Sequence, residues 1–460
     1  MTVCWHGVGQ NELMRTNGIS MKIGNLGFCL AALLAAPCQA DWLSVCDHQP
    51  QDVLTQPAAG YRTHAWDVQG RVTLLQVTPE PPTLANCQLH ELKGDVGAVS
   101  WASLIPPMGA DTTRLILQGD EQNGRFAVSE VILPQTEAPA PRVVTPSLPV
   151  SSEAKRAETL PRTRAAWFWS PARWLETPEK IFASQQENGL RRIYITVPVE
   201  QGAVRHPDEL AAFIRQAHLR DLAVWAVFGD ATSVLPEGRE SSAQMASAYA
   251  AFNRQSEARL DGLQLDIEPY LLPGYRLDPS GWQARYLDAV RYIHAAAPQL
   301  ALDLALPFWW GAEAGGGQAF LAGLAGTVDS LTVMDYRTNA AEIIRFAEPF
   351  LAWGQRHRKK VFVALEALQI PDEGRRHFQS APSGELWHFV LAGREVLLLL
   401  DKPVRLEQGR GFRFTHSSRF AGSSVSFYGR TPQLMALLPS LEVHFKKWTS
   451  FAGMALHGLE

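Results

Sequence analysis

The stretch DGLQLDIEPY, residues 261–270, sets three carboxylates, Asp261, Asp266 and Glu268, into an otherwise apolar run. In an extended strand successive side chains point to opposite faces. Leu263, Leu265 and Ile267 then form one face, and Gly262, Gln264, Asp266 and Glu268 the other. An aliphatic face of this kind packs on a layer of helices. A buried carboxylate costs several kcal/mol unless it is paired or hydrogen-bonded, so the polar face needs a reason to exist. Asp261 precedes the run and reads as a cap or turn residue.

Seven further apolar runs share this character: 165–169 (AAWFW), 191–198 (RRIYITVP), 222–229 (LAVWAVFG), 300–307 (LALDLALP), 330–337 (SLTVMDYR), 359–368 (KKVFVALEAL) and 453–460 (GMALHGLE). Segments with helical periodicity and helix-start signals lie between them, such as TPEKIFASQQENG, HPDELAAFIRQAHLRD and DPSGWQARYLDAVRYIHAAAP. Eight strands alternating with helices predict an α/β fold, a (β/α)8 TIM barrel over residues 164–460. A doubly wound sheet is the alternative, but no glycine-rich phosphate fingerprint follows the first strand. Residues 383–430 break the alternation and read as a β-rich insertion after strand 7, on the face where barrel enzymes keep their active sites. The insertion is therefore expected to wall or cover the site.

Strand parity extends to the neighbours. On strand 5 it turns Asp303 inward and brings Trp309 and Trp310 to the mouth. Strand 6 places Tyr336 at the rim with Arg337 after it, strand 7 sends Glu366 inward, and strand 8 ends on an inward His457. Arg337 is placed either to bind an acidic sugar or to neutralise Asp335 or Glu366. Trp169, Trp309 and Trp310 lie at strand ends, where an aromatic plane can match the apolar face of a pyranose ring.

With these residues in view, DGLQLDIE resembles the DGxDxDxE signature on the fourth barrel strand of family-18 glycoside hydrolases, the chitinases and their relatives. VMDYR, residues 333–337, is similar to that family's Met-x-Tyr-Asp segment. Gln264 and Arg337 stand where the family has Asp. The resemblance implies that Glu268 is the general acid, that Asp266 holds a substrate acetamido group and that Tyr336 helps position it. It also implies retention assisted by the substrate's own N-acetyl oxygen. A second resemblance, to retaining barrel glycosidases whose two acids end strands four and seven, pairs Glu268 with Glu366. Carboxyls about 5 Å apart would give a covalent intermediate, and about 6.5 to 9.5 Å would suit inversion through water. Both routes remain open on the sequence. The expected function is that of an exported glycoside hydrolase acting on a polysaccharide or oligosaccharide. The alternative is a non-catalytic carbohydrate-binding or cell-envelope scaffold protein built on a degenerate glycosidase barrel.

The rest of the chain sets bounds. At 460 residues, 46% hydrophobic and 19% charged, it has the composition of a folded protein with more than one domain. A net charge of −4 without a basic stripe argues against nucleic acid as a partner. From Met21 a basic residue, the run IGNLGFCLAALLAAP and Cys38-Gln39-Ala40 read as a signal peptide (21–40), behind a mis-assigned start. The mature chain is then periplasmic or secreted, with no membrane span; the alternative is a membrane-anchoring first helix. Residues 41–134 show the short alternating runs of a small β domain, a candidate for cell-envelope contact, and residues 135–163 a Pro/Ser/Thr-rich linker. Cys46 and Cys87 pair most simply as a disulfide, the alternative being two buried thiols. No metal-ligand spacing, GxSxG elbow or cofactor fingerprint stands out, so neither metal nor cofactor is expected.

Overall fold

The computed structural model describes residues 41–48, 60–83, 86–94, 96–122, 125–133, 163–312 and 316–459. The expected signal peptide and nearly all of the expected linker lie outside the described residues.

Eight parallel strands close into a barrel. In chain order they are barrel strand 1 (Arg164–Phe168), 2 (Leu190–Ile195), 3 (Ala223–Phe228), 4 (Gly262–Leu265), 5 (Leu302–Pro307), 6 (Ser330–Met334), 7 (Lys360–Glu366) and 8 (Phe451–His457). A helix precedes each following strand. Proline opens several of them, at Pro178, Pro207, Pro236 and Pro279, where its missing N–H is no loss and its fixed φ suits the first turn. Asn339 caps the helix Ala340–His357 by accepting the N–H groups of Ala341 and Glu342.

Parity separates two cores. Leu263, Leu265 and Ile267 join Leu302, Leu304, Leu306 and the helix residues Tyr249, Tyr286 and Phe350 in the layer outside the barrel. Trp167, Tyr194, Trp225, Val227 and Phe362 fill the inside. Gly262 is inward too, and a Cβ there would stand 2.4 Å from ring atoms of Trp225, so only glycine admits that ring. Asp261 accepts the Val224 N–H at 2.7 Å and pairs with His218 at 2.9 Å, the turn role expected of it.

The β segments at the two ends of the barrel sequence are interleaved. Four strands, Asp41–His48, Tyr61–Trp66, Val72–Thr78 and Cys87–Leu92, make one antiparallel sheet, and Cys46 and Cys87 form a disulfide across it. The remaining N-terminal strands, Val99–Ile105, Arg114–Gln122 and Arg125–Ile132, do not stay with them. They join Glu373–Ser380, Gly384–Leu391, Arg394–Val404 and Arg410–Phe420, from between barrel strands 7 and 8, in one seven-stranded sheet. The inserted strands thus begin ten residues before the expected 383 and share their sheet with the expected small domain. The run Leu397–Leu400 shows why. Leu397 and Leu399 enter one core, while Leu398 and Leu400 enter another with Leu43, Val45, Leu75 and Val77 of the first sheet. A strand apolar on both faces needs cover on both, and the N-terminal strands supply it. No helix among the described residues is long and apolar enough to cross a membrane.

Candidate active site

The barrel interior is layered. In the lower layer Gln264, Asp303 and Ser330 stand side by side in the strand register. Asp303 is fully buried and accepts hydrogen bonds from the Tyr194 hydroxyl (3.1 Å), Gln264 Nε2 (2.6 Å), Thr332 Oγ1 (2.7 Å) and the Ser330 hydroxyl. Gln264 passes the network on, accepting the Trp167 indole N–H at 2.6 Å. Below it, the Arg192 guanidinium lies 4.0 Å from the Trp225 ring and 4.6 Å from Phe362, closing the barrel floor. Asp303 was expected among the substrate-binding residues; its carboxylate is engaged by four donors from strands 2, 4 and 6.

The layer above holds the acids. Hydrogen-bonded pairing of strand 4 ends at Leu265, although the Asp266 N–H still donates to the Phe228 carbonyl, so Asp266 and Glu268 sit on its exit toward the C-terminal face. Burial pushes the Asp266 carboxyl well above the usual range, and the Glu268 charge pushes it further. Asp266 Oδ1 is closed off from solvent with no hydrogen-bond partner among the described residues. Burial raises the Glu268 carboxyl as well, opposed by a hydrogen bond donated by the Tyr270 hydroxyl. The Tyr336 hydroxyl is pushed well up, first by burial and then by the charges of Glu366, Asp266 and Glu268. Asp266, Glu268, Tyr336 and Glu366 therefore converge, as parity predicts.

Glu366 and His457 are paired across adjacent strands 7 and 8. The buried Glu366 accepts the Leu368 N–H at 2.7 Å on Oε1 and meets His457 Nδ1 at 2.7 Å through Oε2. The Trp169 indole donates to His457 Nε2 at 2.8 Å. An indole N–H can only donate, so Nε2 carries no proton and the Nδ1 proton goes to Glu366. This chain fixes one tautomer of a neutral imidazole, whose ring stacks on Tyr336 with centroids 6.2 Å apart.

The tryptophan pair divides. A short 3-10 turn, Phe308–Gly311, follows strand 5 and breaks the alternation that carried both rings to the mouth. Trp309 is 47% exposed and meets Tyr270 edge-on at 5.2 Å, whereas Trp310 is 2% exposed and donates to the Tyr275 hydroxyl at 2.9 Å within the outer core. Arg337 lies over the Phe308 ring at 4.5 Å and 3.9 Å from Glu342 on the helix that follows. Beside it Asp335 is buried with neither oxygen hydrogen-bonded among the described residues, and burial drives its carboxyl well up. Tyr270 is the residue the strand reading missed. It lies in the turn beyond Glu268, where parity gives no direction; its position two residues after the acid was the available signal.

Both β segments border this face. Thr338, after strand 6, donates from its N–H to the Ser424 carbonyl at 3.2 Å, and the Phe427 N–H donates to the carbonyl of Glu366 at the end of strand 7 at 2.8 Å. On the other side Trp66 donates from its N–H to the Pro273 carbonyl at 2.6 Å. Among the described residues no group of three or more His, Cys, Asp or Glu side chains could hold a metal ion.

Fold and site together define a closed (β/α)8 barrel with a half-buried acid pair at its C-terminal face. No family model matches the chain, and no curated protein matches it. Among solved structures it is similar to the spore cortex-lytic enzyme SleL of Bacillus cereus (10% identity, 65% of this chain and 71% of that one, TM-score 0.36). It is also similar to a psychrophilic family-10 endo-β-1,4-xylanase (12% identity, 66% and 88%, TM-score 0.36). A third likeness is to catalytic domain 2 of the Ostrinia furnacalis group II chitinase (11% identity, 65% and 89%, TM-score 0.32). Aldolases stand among the matches as well. At such TM-scores these likenesses carry no argument about chemistry, which rests on the site itself.

Proposed function

We propose that the chain is a glycoside hydrolase-like enzyme that acts on a polysaccharide or oligosaccharide, with Glu268 as general acid. The observation that carries this reading is the half-buried Asp266–Glu268 pair at the mouth, ringed by Tyr270, Tyr336 and the Glu366–His457 couple. Breaking a glycosidic bond requires a proton on the departing oxygen as its bond to the anomeric carbon fails. A carboxyl that keeps its proton toward neutral pH can supply it, and burial works in that direction on both acids. The proton passes from Glu268 to the leaving oxygen, which takes the electron pair of the broken bond. Trp309, exposed beside Tyr270, offers a sugar-stacking plane.

The engagement of Glu366 by the Leu368 N–H and by His457 favours a holding role over that of attacking nucleophile. Glu366 sets the imidazole, and His457 and Tyr336 line the wall facing the acids. The attacking group is then a water or the substrate's own acetamido oxygen. Export to the periplasm or medium, and envelope contact through the N-terminal strands, belong to the same proposal and rest on residues 21–40 and on the disulfide.

The test is release of reducing ends from a panel of chitin oligosaccharides, peptidoglycan and xylan. Turnover by the wild type that falls by about 10²- to 10⁴-fold in Glu268→Gln supports the assignment. Glycan binding without turnover, unaffected by Glu268→Gln, would mean a non-catalytic carbohydrate-binding barrel instead.

A further inference from the structure

The N-terminal sheet touches the barrel at a particular place, the turn that leaves the acid. Glu268 is followed by two short 3-10 turns, Pro269–Leu271 and Tyr275–Leu277, with Pro273 and Gly274 between them. Trp66, the last residue of the strand Tyr61–Trp66, donates from its N–H to the Pro273 carbonyl at 2.6 Å, and its ring packs against the outer barrel core. The backbones lie so close that a Cβ on Gly274 would stand 2.2 Å from the Trp66 carbonyl oxygen, and Gly274 has φ +104°, which favours glycine. A second tie joins Arg276 to Glu130 of the seven-stranded sheet at 2.7 Å. One residue on, the Tyr275 hydroxyl accepts the Trp310 indole N–H, and both rings meet Tyr270 edge-on, at 6.3 Å and 6.2 Å between centroids. Tyr270 in turn donates its hydroxyl hydrogen bond to Glu268.

We propose that the N-terminal sheet is a positioning element of the acid site: Trp66 fixes the Pro273–Tyr275 turn, and through Tyr275 and Trp310 that turn holds the Tyr270 hydroxyl on Glu268. The inference rests on the reading of Glu268 as the acid, and it gives the N-terminal strands a role inside the site. A hydrogen bond donated to a carboxylate favours its charged form, so Tyr270 sets how readily Glu268 releases its proton. The other titratable groups acting on this centre are Asp266 from strand 4, Tyr286 from the helix Pro279–Ala296, Tyr336 from strand 6, Glu366 from strand 7 and His457 from strand 8.

The test is a carboxyl titration by NMR of the full chain labelled with ¹³Cδ-glutamate, the Glu268 signal being assigned by its loss in Glu268→Gln. Tyr270→Phe should move the Glu268 midpoint upward. Trp66→Ala should move it in the same direction, Trp66→Phe should restore it, and Trp66→Ala/Tyr270→Phe should go no further than Tyr270→Phe alone. Gly274→Ala, which drives the two backbones apart without removing the Trp66 ring, gives the same shift and decides the matter if Trp66→Ala does not fold. A Glu268 midpoint that stays at the wild-type value in folded Trp66→Ala and Gly274→Ala overturns the proposal, as does one that ignores Tyr270→Phe. The titration needs no turnover, so it stands apart from the failure of every glycan to react.

Discussion

Replacing Asp303 by Ala tests whether the lower layer of the barrel is framework or site. The substitution removes the acceptor of four donors, the hydroxyls of Tyr194, Ser330 and Thr332 and the amide of Gln264, all of them on buried residues. Each buried donor left without its partner costs roughly 1 kcal/mol or more, which puts the loss at about 4 kcal/mol. That agrees with the roughly 3–5 kcal/mol expected when one member of a buried charged network is deleted, here with the Arg192 guanidinium nearby. Asp303→Asn keeps one acceptor oxygen and should lose about half as much on the same count. The assay is guanidinium unfolding followed by tryptophan fluorescence, with Trp167 as a reporter inside the network. A loss below about 1 kcal/mol for Asp303→Ala would refute the reasoning, and so would a fully stable Asp303→Asn whose sole defect was weaker glycan binding.

Three further outcomes follow from the same geometry. Trp309→Ala, truncating an exposed ring at the mouth, should raise KM for an oligosaccharide about tenfold, the equivalent of about 1.4 kcal/mol, and leave kcat nearly unchanged; Trp310→Ala should lower stability instead. For Asp335 the folded carboxyl is raised above its unfolded value by burial, so its contribution favours folding most below about pH 3.9, the unfolded pKa, and fades as pH rises through the folded pKa. Asp335→Asn should therefore be more stable than wild type at pH 8, with the difference shrinking toward pH 4; an equal difference at both pH values in urea melts would contradict the assignment.

The barrel was legible in the sequence because each strand carries a period of two that survives with no knowledge of its neighbours. Gln264, Asp266, Asp303, Tyr336, Glu366 and His457 could be turned inward from their own strands alone. What failed was whatever lies beyond a strand's end or depends on a distant partner. The 3-10 turn at Phe308–Gly311 sends Trp309 and Trp310 to different surroundings, and Tyr270 lies in another such turn. Parity likewise puts Asp303 inside the barrel but cannot tell a saturated carboxylate from one facing substrate, since its four donors come from strands 2, 4 and 6 as well as from the chemistry of their hydroxyls and amide. The pairing of Arg114–Gln122 with Glu373–Ser380 joins segments some 250 residues apart along the chain, and no local pattern announces it. The strand holding Leu397–Leu400 enters a core on each face, and nothing in that run says where its cover comes from.

The central claim, that Glu268 delivers the proton to a departing glycosidic oxygen, is tested most directly by a leaving-group series. Aryl glycosides of a sugar the protein cleaves would be compared in wild type and Glu268→Gln, from alkyl-like to dinitrophenyl leaving groups. A departing group that needs no proton needs no acid, so the account predicts a loss of about 10²- to 10⁴-fold for the poorest leaving group that vanishes for dinitrophenolate. An equal loss across the series, or none at all, would contradict it.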